Sequence, residues 1–148
     1  MRRGAVARGH FFHSMSLKKT FVYPAGHAAP RGAYSPGLKV ELPGGGVMLY
    51  VTGQLGRAPD GSVVAPFDAT AQAEYIFGLI GEILKAADMD YGDVVRAQTY
   101  LTDMADFPKF SVVRDRFFGD SKPASTLLEV KGLAHVGCCV EVEVTAMK

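Results

Sequence analysis

Between Ala73 and Ala87 the apolar residues Ala73, Ile76, Phe77, Ile80, Ile83, Leu84 and Ala87 recur at intervals of three and four, the period of one helix face. Such a helix gains most of its stability by laying that face on another layer, so the rest of the chain must supply one. Asp68 stands where an N-cap is needed. Gly78 and Gly81 each cost about 1 kcal/mol against alanine in a helix, which points to a close neighbour there, the sheet being the expected one.

The layer to be covered is read from segments of period two. Val140, Val142 and Val144 alternate with Glu141, Glu143 and Thr145 across Cys139 to Thr145, which puts both glutamates on one face of a strand. Further strands are expected at Lys19 to Tyr23, Leu38 to Leu42, Val47 to Thr52, Val94 to Leu101 and Ser125 to Val130. Pro43-Gly44-Gly45-Gly46 joins the second and third as a hairpin. A second helix, capped by Asp103 or Asp106 and ended by Gly119, turns Phe110, Val113, Phe117 and Phe118 to one side. The order implies an α+β domain with a mixed sheet and two helices on one face. Its other face is then solvated or covered, and the β-branched and aromatic content favours burial against further copies of the chain.

At 148 residues the chain suits one core, with a domain over residues 18–148 and a disordered tail over 1–17. The tail has three arginines and no acid before Ser14, as a targeting peptide would, but no clear amphipathic stripe; a start placed upstream of the true one at Met15 is the preferred reading. Sixteen basic against fifteen acidic residues leave a net charge of +1, too little to drive binding to nucleic acid. The two cysteines, Cys138 and Cys139, are adjacent, which disfavours a disulfide between them, and no zinc spacing is present. Free thiols and the lack of a bilayer-spanning apolar run are expected of a soluble, cytoplasmic protein.

Three segments, Gly32-Ala33-Tyr34-Ser35-Pro36, Val51-Thr52-Gly53-Gln54 and Pro123-Ala124-Ser125-Thr126, occur in an order that resembles the Rid family, the reactive intermediate deaminases also described as YjgF or L-PSP endoribonuclease-like. Leu101-Thr102-Asp103-Met104-Ala105-Asp106-Phe107 is similar to that family's strand-to-helix junction, and Val140-Glu141-Val142-Glu143 to its final strand. The resemblance runs from about Lys18 to Lys148. It implies a chorismate-mutase-like fold and a homotrimer with small-molecule clefts between subunits, with neither a metal nor an organic cofactor. The activity it implies is hydrolytic deamination of an enamine or imine such as 2-aminoacrylate.

By the same resemblance Glu141 would orient or deprotonate water, and Tyr34, Thr52, Gly53, Ser111, Ser125 and Leu127 would line the cleft. The chain departs from the pattern at Ser125, where family deaminases acting on 2-imino acids carry an arginine that pairs with the substrate carboxylate. A serine supplies neither that charge nor its fork geometry. Arg31, Arg96 and Lys122 are the basic residues weighed as replacements.

Each of these residues also has a plainer reading. Glu141 could be a solvated strand residue, Tyr34 a loop anchor, Gly53 a site of special backbone geometry and the loop histidine His135 a solvated side chain. The cysteines read as small packing residues. Two functional classes follow, a hydrolase releasing ammonia or a non-catalytic ligand-binding trimer, with RNA cleavage third.

Overall fold

The apolar stripe forms helix α1, Ala69–Ala86, in the computed structural model, which describes residues 17–27 and 29–148. The expected tail therefore lies, but for Leu17, outside the described residues. Asp68 caps α1 as expected, its carboxylate accepting from the Ala71 N–H at 3.0 Å. Strands β1 (Lys18–Val22), β2 (Gly37–Glu41) and β3 (Val47–Leu55) precede the helix. After it come β4 (Val94–Leu101), helix α2 (Phe107–Phe118), β5 (Ala124–Glu129) and β6 (Val140–Met147).

The strands form one six-stranded sheet in the order β1-β2-β3-β6-β4-β5. Pairing is antiparallel except between β4 and β5. Because β6 runs antiparallel to both β3 and β4, those two strands are parallel, and α1 is the crossover between them. Likewise α2 is the crossover from β4 to β5. Both crossovers advance the same way along the sheet, so a shared right-handed connection places both helices on one face. The core lies there: Leu49, Val51, Ala97, Leu101, Val140, Val142 and Val144 meet Ile76, Phe77, Ile80, Ile83 and Leu84 of α1 and Phe110 and Val113 of α2. The expected α+β architecture, with one mixed sheet and two helices, is the one observed.

Three local details differ from expectation. Strand β3 continues past Thr52 to Leu55, because β6 resumes pairing at Gln54 and Leu55 after a register shift. The cap at Asp103 serves a short 3-10 turn, Met104–Asp106, rather than α2 directly, while Asp106 makes no capping bond. The neighbour at Gly81 is Tyr91 and not the sheet: a Cβ there would stand 2.8 Å from the Tyr91 hydroxyl, which donates to the Phe77 carbonyl. Burial pushes that hydroxyl's pKa up to about 12, so it remains a donor.

Gly78 has no such neighbour. It is exposed, and nothing lies within 4 Å of a Cβ built on it, so close approach does not explain it. Gly78→Ala is therefore expected to stabilise the protein by about 0.5–1 kcal/mol through helix propensity, measured as a higher midpoint in urea.

The opposite face of the sheet is uncovered within one chain. Phe21, Tyr50, Leu128 and Met147 are all exposed on it, beside Leu38 and Met48. Among the described residues no helix is long and apolar enough to cross a membrane.

Candidate functional site

Glu141 lies on this uncovered face, with Leu55 of β3 and Tyr100 of β4 as its cross-strand neighbours. Its carboxylate leans over Gly53. A Cβ at Gly53 would stand 2.1 Å from Glu141 Oε1 and 3.0 Å from its carboxyl carbon, so no side chain fits there in this arrangement. The β3–β6 register shifts between Val51 and Gln54, leaving Thr52 and Gly53 at an irregularity that redirects the strand beside the carboxylate. Half-burial raises the Glu141 pKa above its ordinary value, and the Glu143 charge two residues on adds to the shift.

Gly53 separates this carboxylate from a cleft of about 510 Å³ lined by Tyr34, Thr52, Gly53, Arg31, Arg57 and His135, among others. Thr52 builds one wall. Its hydroxyl donates to the Ser35 carbonyl at 2.7 Å and its N–H to the Pro36 carbonyl at 3.0 Å, which pins the loop bearing Tyr34 against β3. Ser35 closes the same turn by donating to the Gly37 carbonyl at 2.9 Å. Tyr34 projects from that loop and is 57% exposed, free of the core packing that a loop anchor would show.

His135 reaches the cleft because the loop before β6 is tethered from below. Buried Gln72 of α1 donates to the Gly137 carbonyl at 2.8 Å and accepts from the Cys139 N–H at 2.9 Å. Arg57 Nη1 then meets His135 Nε2 at 2.8 Å. Cys138 and Cys139 are buried free thiols. Burial pushes Cys139 up to about 11 and raises Cys138 as well, the nearby Arg57 charge opposing the latter shift, so both are packing groups rather than nucleophiles.

The remaining expected positions lie elsewhere in the chain. Ser125 and Leu127 pair in register with Ala97 and Thr99, both buried beneath the helices, so they point to the helix face, opposite Glu141. Leu127 packs against the core. Ser125 lines a second groove with Arg114, Asp115, Phe118 and Lys122 at the β5 edge. Three strand spacings separate β3 from β5, about 14 Å, so a small ligand seated at Gly53 cannot touch Ser125 of the same chain. Ser111 lies on α2 outside both clefts, its buried hydroxyl without a partner among the described residues. Of the basic residues weighed, Arg31 lines the first cleft, Lys122 the second groove, and Arg96 donates to Gln98 Oε1 on the open face.

Arg57 was not singled out from sequence. It sits at the foot of a Pro/Gly turn, where the residue order signals a turn and says nothing of a partner 78 positions away. Its only local cue is a basic residue three positions after Gln54.

The Gly53 contact makes a direct prediction. Gly53→Ala is expected to displace the Glu141 carboxylate and lower any activity that depends on it by tenfold or more, consistent with the sensitivity of catalysis to ångström-scale misplacement. The check is a kcat comparison alongside a thermal melt to separate loss of activity from loss of fold.

Among the described residues no group of three or more His, Cys, Asp or Glu side chains is placed to hold a metal ion. The family model described as Endoribonuclease L-PSP matches residues 9–148. The cattle 2-iminobutanoate/2-iminopropanoate deaminase is 33% identical over 133 residues, covering 90% of this chain and 93% of that one. A RutC family protein of Pyrococcus horikoshii is 32% identical over 130 residues, covering 88% and 98%. Among solved structures, RidA from the Antarctic bacterium Psychrobacter superposes with a TM-score of 0.73 at 30% identity, covering 86% of this chain and 98% of that one. Yeast Mmf1 superposes at 0.78 with 26% identity, covering 88% and 99%. With the six-stranded sheet, the Thr52-Gly53 irregularity and the Glu141 carboxylate over it, these likenesses place the chain in the L-PSP/YjgF family, the Rid proteins.

Proposed function

We propose that the protein hydrolyses a small imine or enamine to the corresponding keto compound and ammonia, in a cleft completed by a second copy within a homotrimer. The observation that carries this reading is the half-buried Glu141 carboxylate, raised in pKa, held over Gly53 beside a cleft lined by Tyr34 and Thr52. Imine hydrolysis needs one group that takes a proton from water and later returns it to nitrogen. Glu141 accepts the water proton as oxygen bonds to the imine carbon and passes it to nitrogen, giving a carbinolamine. It then takes the hydroxyl proton as C=O forms and delivers it to the departing nitrogen, so that the C–N bond breaks and ammonia leaves carrying both protons of the water. An upward-shifted carboxyl suits both directions of that transfer better than an ordinary one. The named activity of the cattle relative supports the same class.

The trimer is supported by the uncovered apolar face and by the position of Ser125, which reaches a Gly53 cleft only if that cleft belongs to another copy. The test is ammonia release from 2-iminobutanoate generated in the assay, together with the solution mass by light scattering. Release at the uncatalysed rate sinks the hydrolase reading, and a monomer sinks the shared cleft.

A second reading, a non-catalytic ligand-binding trimer, is favoured by one observation: the serine at position 125. It predicts saturable binding without turnover. RNA cleavage has less support, since a net charge of +1 gives little purchase on a phosphate backbone.

A further inference from the structure

We infer that Arg31, in the β1–β2 connection, and Arg57, in the turn after β3, form an anion-recognition end of the Gly53 cleft and hold the carboxylate of an oxo- or imino-acid that position 125 does not. The inference rests on the cleft assigned above, though not on its turnover. A Cβ built on Gly61 lies 3.1 Å from Arg57 Nη2 and 3.7 Å from Arg31 Nη2, so the two guanidinium nitrogens are no more than about 7 Å apart. Both side chains line the cleft.

Arg57 is held in place. Its Nε and Nη2 donate to the Gly61 carbonyl at 3.3 and 3.1 Å, and Nη1 lies 2.8 Å from His135 Nε2. That engages three of its five N–H groups and leaves two for a ligand. With Nε2 accepting from Arg57, the His135 ring carries its proton on Nδ1 and orients the guanidinium without adding charge.

The acids nearby pair with groups other than the arginines, Glu82 doing so within the same cleft. Asp60 accepts from the Ser62 N–H and hydroxyl at 2.8 and 2.7 Å, and Glu82 bonds His27 Nε2 at 2.9 Å. Among the described residues neither arginine forms an ion pair. Two cations held this close repel each other, and an anion seated between them converts that repulsion into attraction on both sides. A guanidinium fork recognises a planar carboxylate by geometry as well as charge. This arrangement restores, from one chain, the recognition that Ser125 lacks.

The test is calorimetric titration of the full-length protein with 2-oxobutanoate and with its neutral counterpart 2-oxobutanamide. The wild type is expected to bind the acid at least tenfold more tightly than the amide. Arg57→Gln and Arg31→Gln should each reduce that preference tenfold or more while leaving the amide Kd in place. Lys109→Gln removes the same charge from α2, outside both clefts, and should change nothing. Arg57→Gln also loosens the turn, but Arg31 makes no hydrogen bond among the described residues, so its variant tests charge without that complication. Equal binding of acid and amide by the wild type, undetectable binding of both, or a preference that survives both arginine variants overturns the anion site. A preserved preference without ammonia release would instead overturn deamination and leave the anion site standing.

Discussion

Glu141→Gln is expected to lower ammonia release from 2-iminobutanoate by about 10²–10⁴-fold, the usual contribution of a positioned acid–base group. The amide keeps the shape of the carboxylate and its fit above Gly53 but can no longer accept a proton. Activity of the wild type should fall on acidification through the raised Glu141 pKa, at higher pH than an ordinary glutamate would dictate. The stability effect has the opposite sign. A carboxyl whose pKa is raised in the folded chain favours folding only while protonated, below the ordinary value of 4.5, and that contribution is lost as pH rises through the folded pKa. At neutral pH the charged carboxylate is therefore a burden, and Glu141→Gln should melt no lower than the wild type. A melt that drops together with the activity would mean that Glu141 supports the fold and not the chemistry.

Phe77→Ala is expected to destabilise the protein by about 3–5 kcal/mol, enough to move the melting temperature by roughly 10 °C in a chain of this size. Phe77 is fully buried at the junction of the two helices, its ring centroid 6.1 Å from Phe110, 5.1 Å from Phe117 and 5.3 Å from Phe118. Removing it empties the centre of that aromatic cluster, and rigid neighbours on both helices limit how far the space can collapse. Chemical denaturation gives the number directly. A loss below 1 kcal/mol would mean that the aromatic cluster repacks around the vacancy.

Local periodicity carried most of the fold. The three-and-four spacing of α1 and the two-residue alternation of β6 each depend on neighbours within a few positions, and both elements formed where those patterns lie. The β3 end is not legible locally, because Gly53-Gln54 carries the composition of a turn, whereas the strand is continued by pairing with β6, nearly ninety residues later. Gly78 and Gly81 look alike in sequence, yet only Gly81 has a side chain against it. That distinction belongs to the far surface of the helix and to Tyr91, not to the helix itself.

The candidate site divides along the same line. Tyr34, Thr52, Gly53 and Glu141 could be singled out because each stands in a short segment whose residue types resemble the family's, and the chain alone carries those segments. What the residue order does not contain is their placement: the insertion of β6 between β3 and β4 sets Glu141 over Gly53, while the β4–β5 register turns Ser125 to the opposite face. The convergence of Arg57 with His135 and Arg31 likewise arises from a tethered loop and a turn that meet in space. Periodicity and residue type act over a few bonds and so determined the elements and the chemical candidates; strand order acts across the whole chain, and it decided which candidates share a cleft.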